Sequence, residues 1–195
     1  MRLVASVLGI DFVIASRPGT SVDTMLLGAQ AWGASTNGLR TGISTVVSGS
    51  ASSTGAEFYI TFENTGGADF VLNLGWMLGN GKAMFPTRVG LVLTDPAGRT
   101  RDLEVPTPRV AGRVDDFIVA LPKGATYRLR VSLSQYWSPA TKDFQLKLAD
   151  GKHHIAARFE GRDASQVNLD MRGVTLLNFW TGKVQSDSVE FLVSK

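Results

Sequence analysis

No cysteine occurs among the 195 residues. Disulfides, thiolate zinc sites, iron–sulfur clusters and a thiol nucleophile are therefore excluded. Histidine is nearly as scarce, with two residues, which removes most metal and general-base chemistry from consideration. Only 19% of residues are charged, and 20 Lys+Arg against 17 Asp+Glu leave +3. The basic residues at 99–101, 109–113 and 128–130 alternate with others, so no nucleic-acid footprint forms. No apolar run is long enough for a permanent membrane span. A chain of this length normally builds one domain with a core of its own.

The first residues, MRLVASVLGIDFVIAS, place Arg2 ahead of an apolar stretch interrupted by Asp11. They read as the leader of a secretory signal, with Ala29-Gln30-Ala31 as a processing pattern before Trp32. The division expected is a signal-like or flexible segment, 1–31, followed by one domain, 32–195. Loss of 1–31 removes Arg2, Arg17, Asp11 and Asp23, so the charge stays at +3. Secretion to the periplasm or cell surface follows if the leader works, and a cytoplasmic location if it does not.

Period-two alternation dominates the rest. In EFYITFE (57–63), Phe58, Ile60 and Phe62 share one face; in TYRLRVSLS (126–134), Tyr127, Leu129, Val131 and Leu133 do. Such alternation marks strands buried on one side. Further strands are predicted at 39–47, 70–74, 89–94, 100–105, 117–121, 144–148, 153–160, 174–180 and 188–193. Asn80-Gly81, Asp95-Pro96-Ala97-Gly98, Asn64-Thr65-Gly66-Gly67 and Pro122-Lys123-Gly124 punctuate them as short, hairpin-like links. The expectation is an all-β antiparallel sandwich of two sheets with about nine to eleven strands.

Residues 150–159 (DGKHHIAARF), 179–186 (FWTGKVQS) and 189–193 (VEFLV) resemble the last strands of bacterial extracytoplasmic immunoglobulin-like domains. Ala31-Trp32-Gly33, Asn37-Gly38-Leu39 and Gly42-Ile43 resemble the first strand of similar modules. The resemblance implies an immunoglobulin-like fold and a binding role. It also places His153 where such domains carry the tyrosine of a "tyrosine corner". His153 shares parity with Ile155, Ala157 and Phe159 and should point inward. It then either donates to a loop carbonyl or serves as a metal ligand or base; His154 faces the other way.

Enzyme constellations are absent from the pattern: no G-x-S-x-G, H-E-x-x-H, Walker A or G-x-G-x-x-G occurs. Asp115 and Asp116 are adjacent, so they diverge on a strand and make a poor carboxylate pair. Asp163, Asn168 and Asp170 form an oxygen-rich stretch that matches no calcium-loop spacing. No cofactor or metal is expected. The candidate ligand-binding residues are the aromatics Tyr136, Trp137, Trp76 and Phe85, which suit a protein or glycan partner. Because Tyr136 and Trp137 are adjacent, one ring should be partly exposed. The Pro-flanked loop with Pro106, Pro108 and Arg109 is a candidate protease-inhibitory loop. The function expected is a non-catalytic, exported binding or scaffold module, with protease inhibition or carbohydrate binding as alternatives.

Overall fold

The computed structural model describes residues 28–46, 55–79, 81–107, 109, 112–142, 146–163 and 178–194. The expected leader, except for Gly28–Ala31, lies outside them. Among the described residues are twelve strands: β1 (Ala31–Trp32), β2 (Leu39–Thr45), β3 (Glu57–Asn64), β4 (Phe70–Leu78), β5 (Met84–Phe85), β6 (Val89–Thr94), β7 (Thr100–Leu103), β8 (Val114–Leu121), β9 (Thr126–Ser132), β10 (Gly151–Gly161), β11 (Gly182–Gln185) and β12 (Val189–Val193). One short 3₁₀ turn, Leu133–Gln135, follows β9. Among the described residues no helix is long and apolar enough to cross a membrane.

The fold is all-β and every strand ladder is antiparallel. One sheet runs β1-β2-β3-β9, and another runs β7-β6-β10, with β11 and β12 end to end on the far edge of β10. These two carry the core between them. Phe58 of β3 meets Phe191 of β12 edge to face at 5.3 Å, and Phe62 of β3 meets Phe159 of β10 at 5.2 Å. Inward residues alternate with outward ones as the sequence required, so Leu39, Ile43, Ile60, Leu91, Leu93 and Ile155 are fully buried.

The count and the division differ from the sequence expectation. Among the described residues a third sheet, β5-β4-β8, brings the number of sheets to three, and the strands number twelve rather than nine to eleven. The reason is a corner. The links 64–69 and 122–125 look like hairpin turns, but each joins strands of different sheets. The β3:β9 ribbon thus passes through two short links into the β4:β8 ribbon. Asn64 holds this corner. It is 1% exposed, its Nδ2 donates to the carbonyls of Ala68 and Leu121 at 2.9 Å each, and its Oδ1 accepts from the Gly66 N–H at 2.9 Å. A buried amide with all these groups paired fixes the bend at no desolvation penalty.

Asp95–Gly98 is a true hairpin turn between β6 and β7, with Gly98 N–H donating to Asp95 O at 2.9 Å. The expected strand at 144–148 is not one where it is described. Leu146 and Leu148 are buried without joining a ladder, and residues 144 and 145 lie outside the described residues. Of 174–180, only 178–180 is described; there Phe179 makes an isolated parallel bridge to Val71.

Candidate functional site

Two of the three outer sheet faces are laced with ion pairs. On β1-β2-β3-β9, Arg40 pairs with Glu63 and Arg130 with Glu57, while the Arg40 guanidinium lies 4.4 Å from the Trp32 ring centre. On β7-β6-β10-β12, Arg158 reaches Asp102 across Gly90, and Lys152 pairs with Glu190. Exposed pairs of this kind contribute about 0–1 kcal/mol each and keep a face solvated.

The outer face of β5-β4-β8 is different. Phe85, Trp76 and Asp116 form one row across its three strands. The next row holds Asn73 opposite Ile118. Trp76 and Phe85 are half-buried, and Ile118 is 40% exposed. In the same two rows, Asn73 is fully buried and Asp116 is 7% exposed. The Asn73 Nδ2 donates to Asp116 Oδ1 at 3.0 Å and to the Asp163 carbonyl at 3.2 Å.

A β-bulge between Asn73 and Gly75 creates this arrangement. Asn73 Oδ1 accepts from the Gly75 N–H at 3.1 Å, which closes the bulge locally. The extra residue restores parity, so Trp76 faces outward like Asn73 while Phe117 opposite Gly75 points into the core. Gly75 has φ of 142°, and the Phe85 carbonyl occupies the space where a Cβ would go. Only glycine lets β5 approach closely enough to set Phe85 beside Trp76.

Arg88 completes the cluster. Its N–H donates to Leu74 O at 3.1 Å, fixing it at the edge of β4. Burial lowers its pKa, Asp116 and Glu160 oppose that shift, and Arg162 adds to it. Its Nη1 is buried without a hydrogen-bond partner. Glu160 is held below its ordinary pKa chiefly by a hydrogen bond from Arg162, which donates from Nη2 at 2.6 Å.

The aromatic candidates thus divide. Trp76 and Phe85 are brought together. Tyr136 and Trp137 are not with them: Trp137 makes an isolated bridge to Glu104, just past β7, and is half-buried. Tyr136 is 2% exposed and belongs to the core, so it offers no face to a ligand. The 3₁₀ turn causes this, because its winding directs Leu133 and Tyr136 inward together. The phenol O–H of Tyr136 has no partner, and burial raises its pKa. Replacing it with phenylalanine removes an unsatisfied polar atom, so the variant should match or exceed wild-type stability, by up to about 1–2 kcal/mol in urea melts. The raised pKa means that wild type loses stability as pH climbs above the unfolded tyrosine value of about 10. Tyr136→Phe should flatten that alkaline loss; an unchanged slope would mean the phenol is not buried.

In the 105–113 loop, Pro106 is half-buried and Arg109 is exposed, while Pro108 lies outside the described residues. Val105 packs on the core. Asn168 and Asp170 also lie outside the described residues, whereas Asp163 supplies only its carbonyl to Asn73. His153 is fully buried, its Nε2 lies 2.9 Å from the Ala149 carbonyl, and its ring stacks on Phe191 at 5.4 Å. Nε2 therefore carries the proton, and His154 is exposed on the opposite face. Asp115 and Asp116 diverge, with Asp115 bound by Arg113 at 2.9 Å. Among the described residues no group of three or more His, Asp or Glu could hold a metal ion.

Sequence reasoning found Trp76 and Phe85 but missed Asn73 and Arg88. An asparagine between leucines two residues before a glycine was the available signal for a bulge. Compared with known proteins, the chain matches no family model and no curated sequence.

Proposed function

We propose that this chain is a non-catalytic, exported binding module of immunoglobulin-like architecture that engages its partner through the outer face of β5-β4-β8. The observation that carries the reading is the row Phe85–Trp76–Asp116 on the outer face of β5-β4-β8, with Ile118, 40% exposed, beside it. Half-buried aromatics beside an exposed isoleucine are the composition of an interface centre rather than of a solvated face. The immunoglobulin-like part is supported by strand order. With β2, β3 and β9 on one sheet and β7, β6, β10 and β12 on the other, the order corresponds to A-B-E against C′-C-F-G. The β4:β8 ribbon is then an addition to that plan. Export is supported by Arg2, the apolar stretch after it and the A-x-A pattern ending at Ala31.

A photo-crosslinking residue at position 118, compared with one at exposed Leu192 on another face, tests the reading in cells. A discrete adduct at 118 and none at 192 is the expected result. Equal labelling at both positions, or none at either, would remove this face from consideration.

A further inference from the structure

Among the described residues β8 pairs only with β4, so its other side is a sheet edge. The register decides which main-chain groups that edge presents. Val71 donates its N–H to the Asn178 carbonyl and accepts from the Trp180 N–H, both at 2.9 Å, on the side of β4 away from β8. Val71 opposite Ala120 is therefore a non-hydrogen-bonded pair, while Leu72 opposite Val119 bonds across the ladder. By the same alternation the N–H and C=O groups of Ile118 and Ala120 point to the edge. The side chains of both are exposed on the outer face.

Sheet edges normally carry protection against pairing. On β9, an edge of the first sheet among the described residues, Arg128 and Arg130 stand exposed. On β8, the run Phe117-Ile118-Val119-Ala120-Leu121 holds no charge, proline or glycine. A twofold axis makes this run complementary to itself. In an antiparallel pair centred on Val119, Ile118 of each copy exchanges both main-chain bonds with Ala120 of the other, and their apolar side chains become cross-strand neighbours. That register also sets Asp115 opposite Lys123, just past the strand end, whereas centring on Ile118 would set Arg113 against Lys123. We propose that two copies of this chain pair antiparallel through the edge of β8, forming one continuous sheet, β5-β4-β8-β8-β4-β5. The pairing goes beyond the binding-module reading, because it uses the strand edge and leaves the Trp76–Phe85 row of each copy on the outer face.

A strand pair this short is a small interface, which places the dimer among weak, reversible ones. Sedimentation velocity of the full chain from about 5 to 500 μM tests it. The mass should rise with concentration from 20.9 kDa toward twice that value. Ala120→Pro removes an edge-facing N–H without touching the ladder to β4, and Ala120→Lys sets like charges diagonally across the twofold axis. Each should weaken self-association by about tenfold or more, with melting curves showing that it is folded. Leu192→Ala should associate as wild type. Amide hydrogen exchange gives a readout that needs no variant: exchange at Ile118 and Ala120 should slow as concentration rises, while Val119 and Leu121 stay protected throughout. A chain monomeric over the whole range, association unchanged in folded Ala120 variants, or exchange at 118 and 120 indifferent to concentration overturns the pairing. In the crosslinking experiment at position 118, an adduct of another mass from a monomeric chain leaves the binding-module reading standing and removes only the pairing. A self-adduct alone supports the pairing and leaves the Trp76–Phe85 face without a partner.

Discussion

Replacing Gly75 with alanine is expected to cost roughly 2–6 kcal/mol of stability. Two effects add. The backbone there has φ of 142°, which side-chain-bearing residues rarely adopt, and the new Cβ would meet the Phe85 carbonyl and, at 2.6 Å, the Thr87 nitrogen. Backbone atoms cannot rotate aside as a flexible side chain can. Three glycines make a graded series. Gly67 has nothing within 4 Å of a Cβ and no positive φ, so Gly67→Ala should be neutral or slightly stabilising. Gly98 also has open space but φ of 79°, so its alanine variant should lose about 1 kcal/mol. Gly75→Ala should fall well below both in urea midpoint. Equal midpoints for the 75 and 98 variants would mean that β5 does not approach the bulge so closely. Because the bulge aligns Trp76 with Asp116, the same variant, if folded, should also lose binding at this face.

Phe159→Ala is expected to cost roughly 3–5 kcal/mol, a fall in melting temperature of roughly 6–20 °C for a chain of this size. The ring is fully buried and joins the two main sheets. It meets Phe62 edge to face at 5.2 Å and stacks with Trp180 at 5.6 Å. Trp180 in turn donates from Nε1 to the Asn37 carbonyl at 3.1 Å, so it cannot follow a collapse into the space without breaking that bond. The cavity therefore persists and the cost lies toward the upper end. Leu192→Ala, at 63% exposed, should stay within about 0.5 kcal/mol. Denaturant melts of both variants check the contrast, and a small loss at Phe159 would show that the core repacks around it.

The difference between these residues follows what period two can and cannot express. Alternation reports which residues face inward, so Phe58, Phe62, His153 and Phe159 were legible from the sequence. It does not report which sheet a strand joins. The links after Asn64 and before Thr126 have the composition of hairpin turns, yet Asn64, at the end of β3, bonds to the carbonyls of Ala68 in its own link and Leu121 at the end of β8 and turns the pair into a corner. Pairs of residues also defeat alternation where the chain leaves the extended state. Tyr136 and Trp137 were expected to divide between core and surface, but which ring went inside depended on the 3₁₀ turn at Leu133–Gln135.

The candidate site shows the same limit. Absent cysteine and scarce histidine already directed attention to aromatics, and Trp76 and Phe85 stood on either side of Asn80-Gly81. Asn73 and Arg88 were silent, since their partners are Asp116 and Asp163 on distant segments.

By itself, then, the sequence determined an all-β chain, the inward face of most strands and a poverty of catalytic groups, because each depends on residue type and local period. The third sheet, the bulge at Gly75 and the meeting of Trp76, Phe85, Arg88 and Asp116 were decided only by tertiary structure. They arise from hydrogen bonds and close approaches between segments far apart in the chain, which no local pattern encodes.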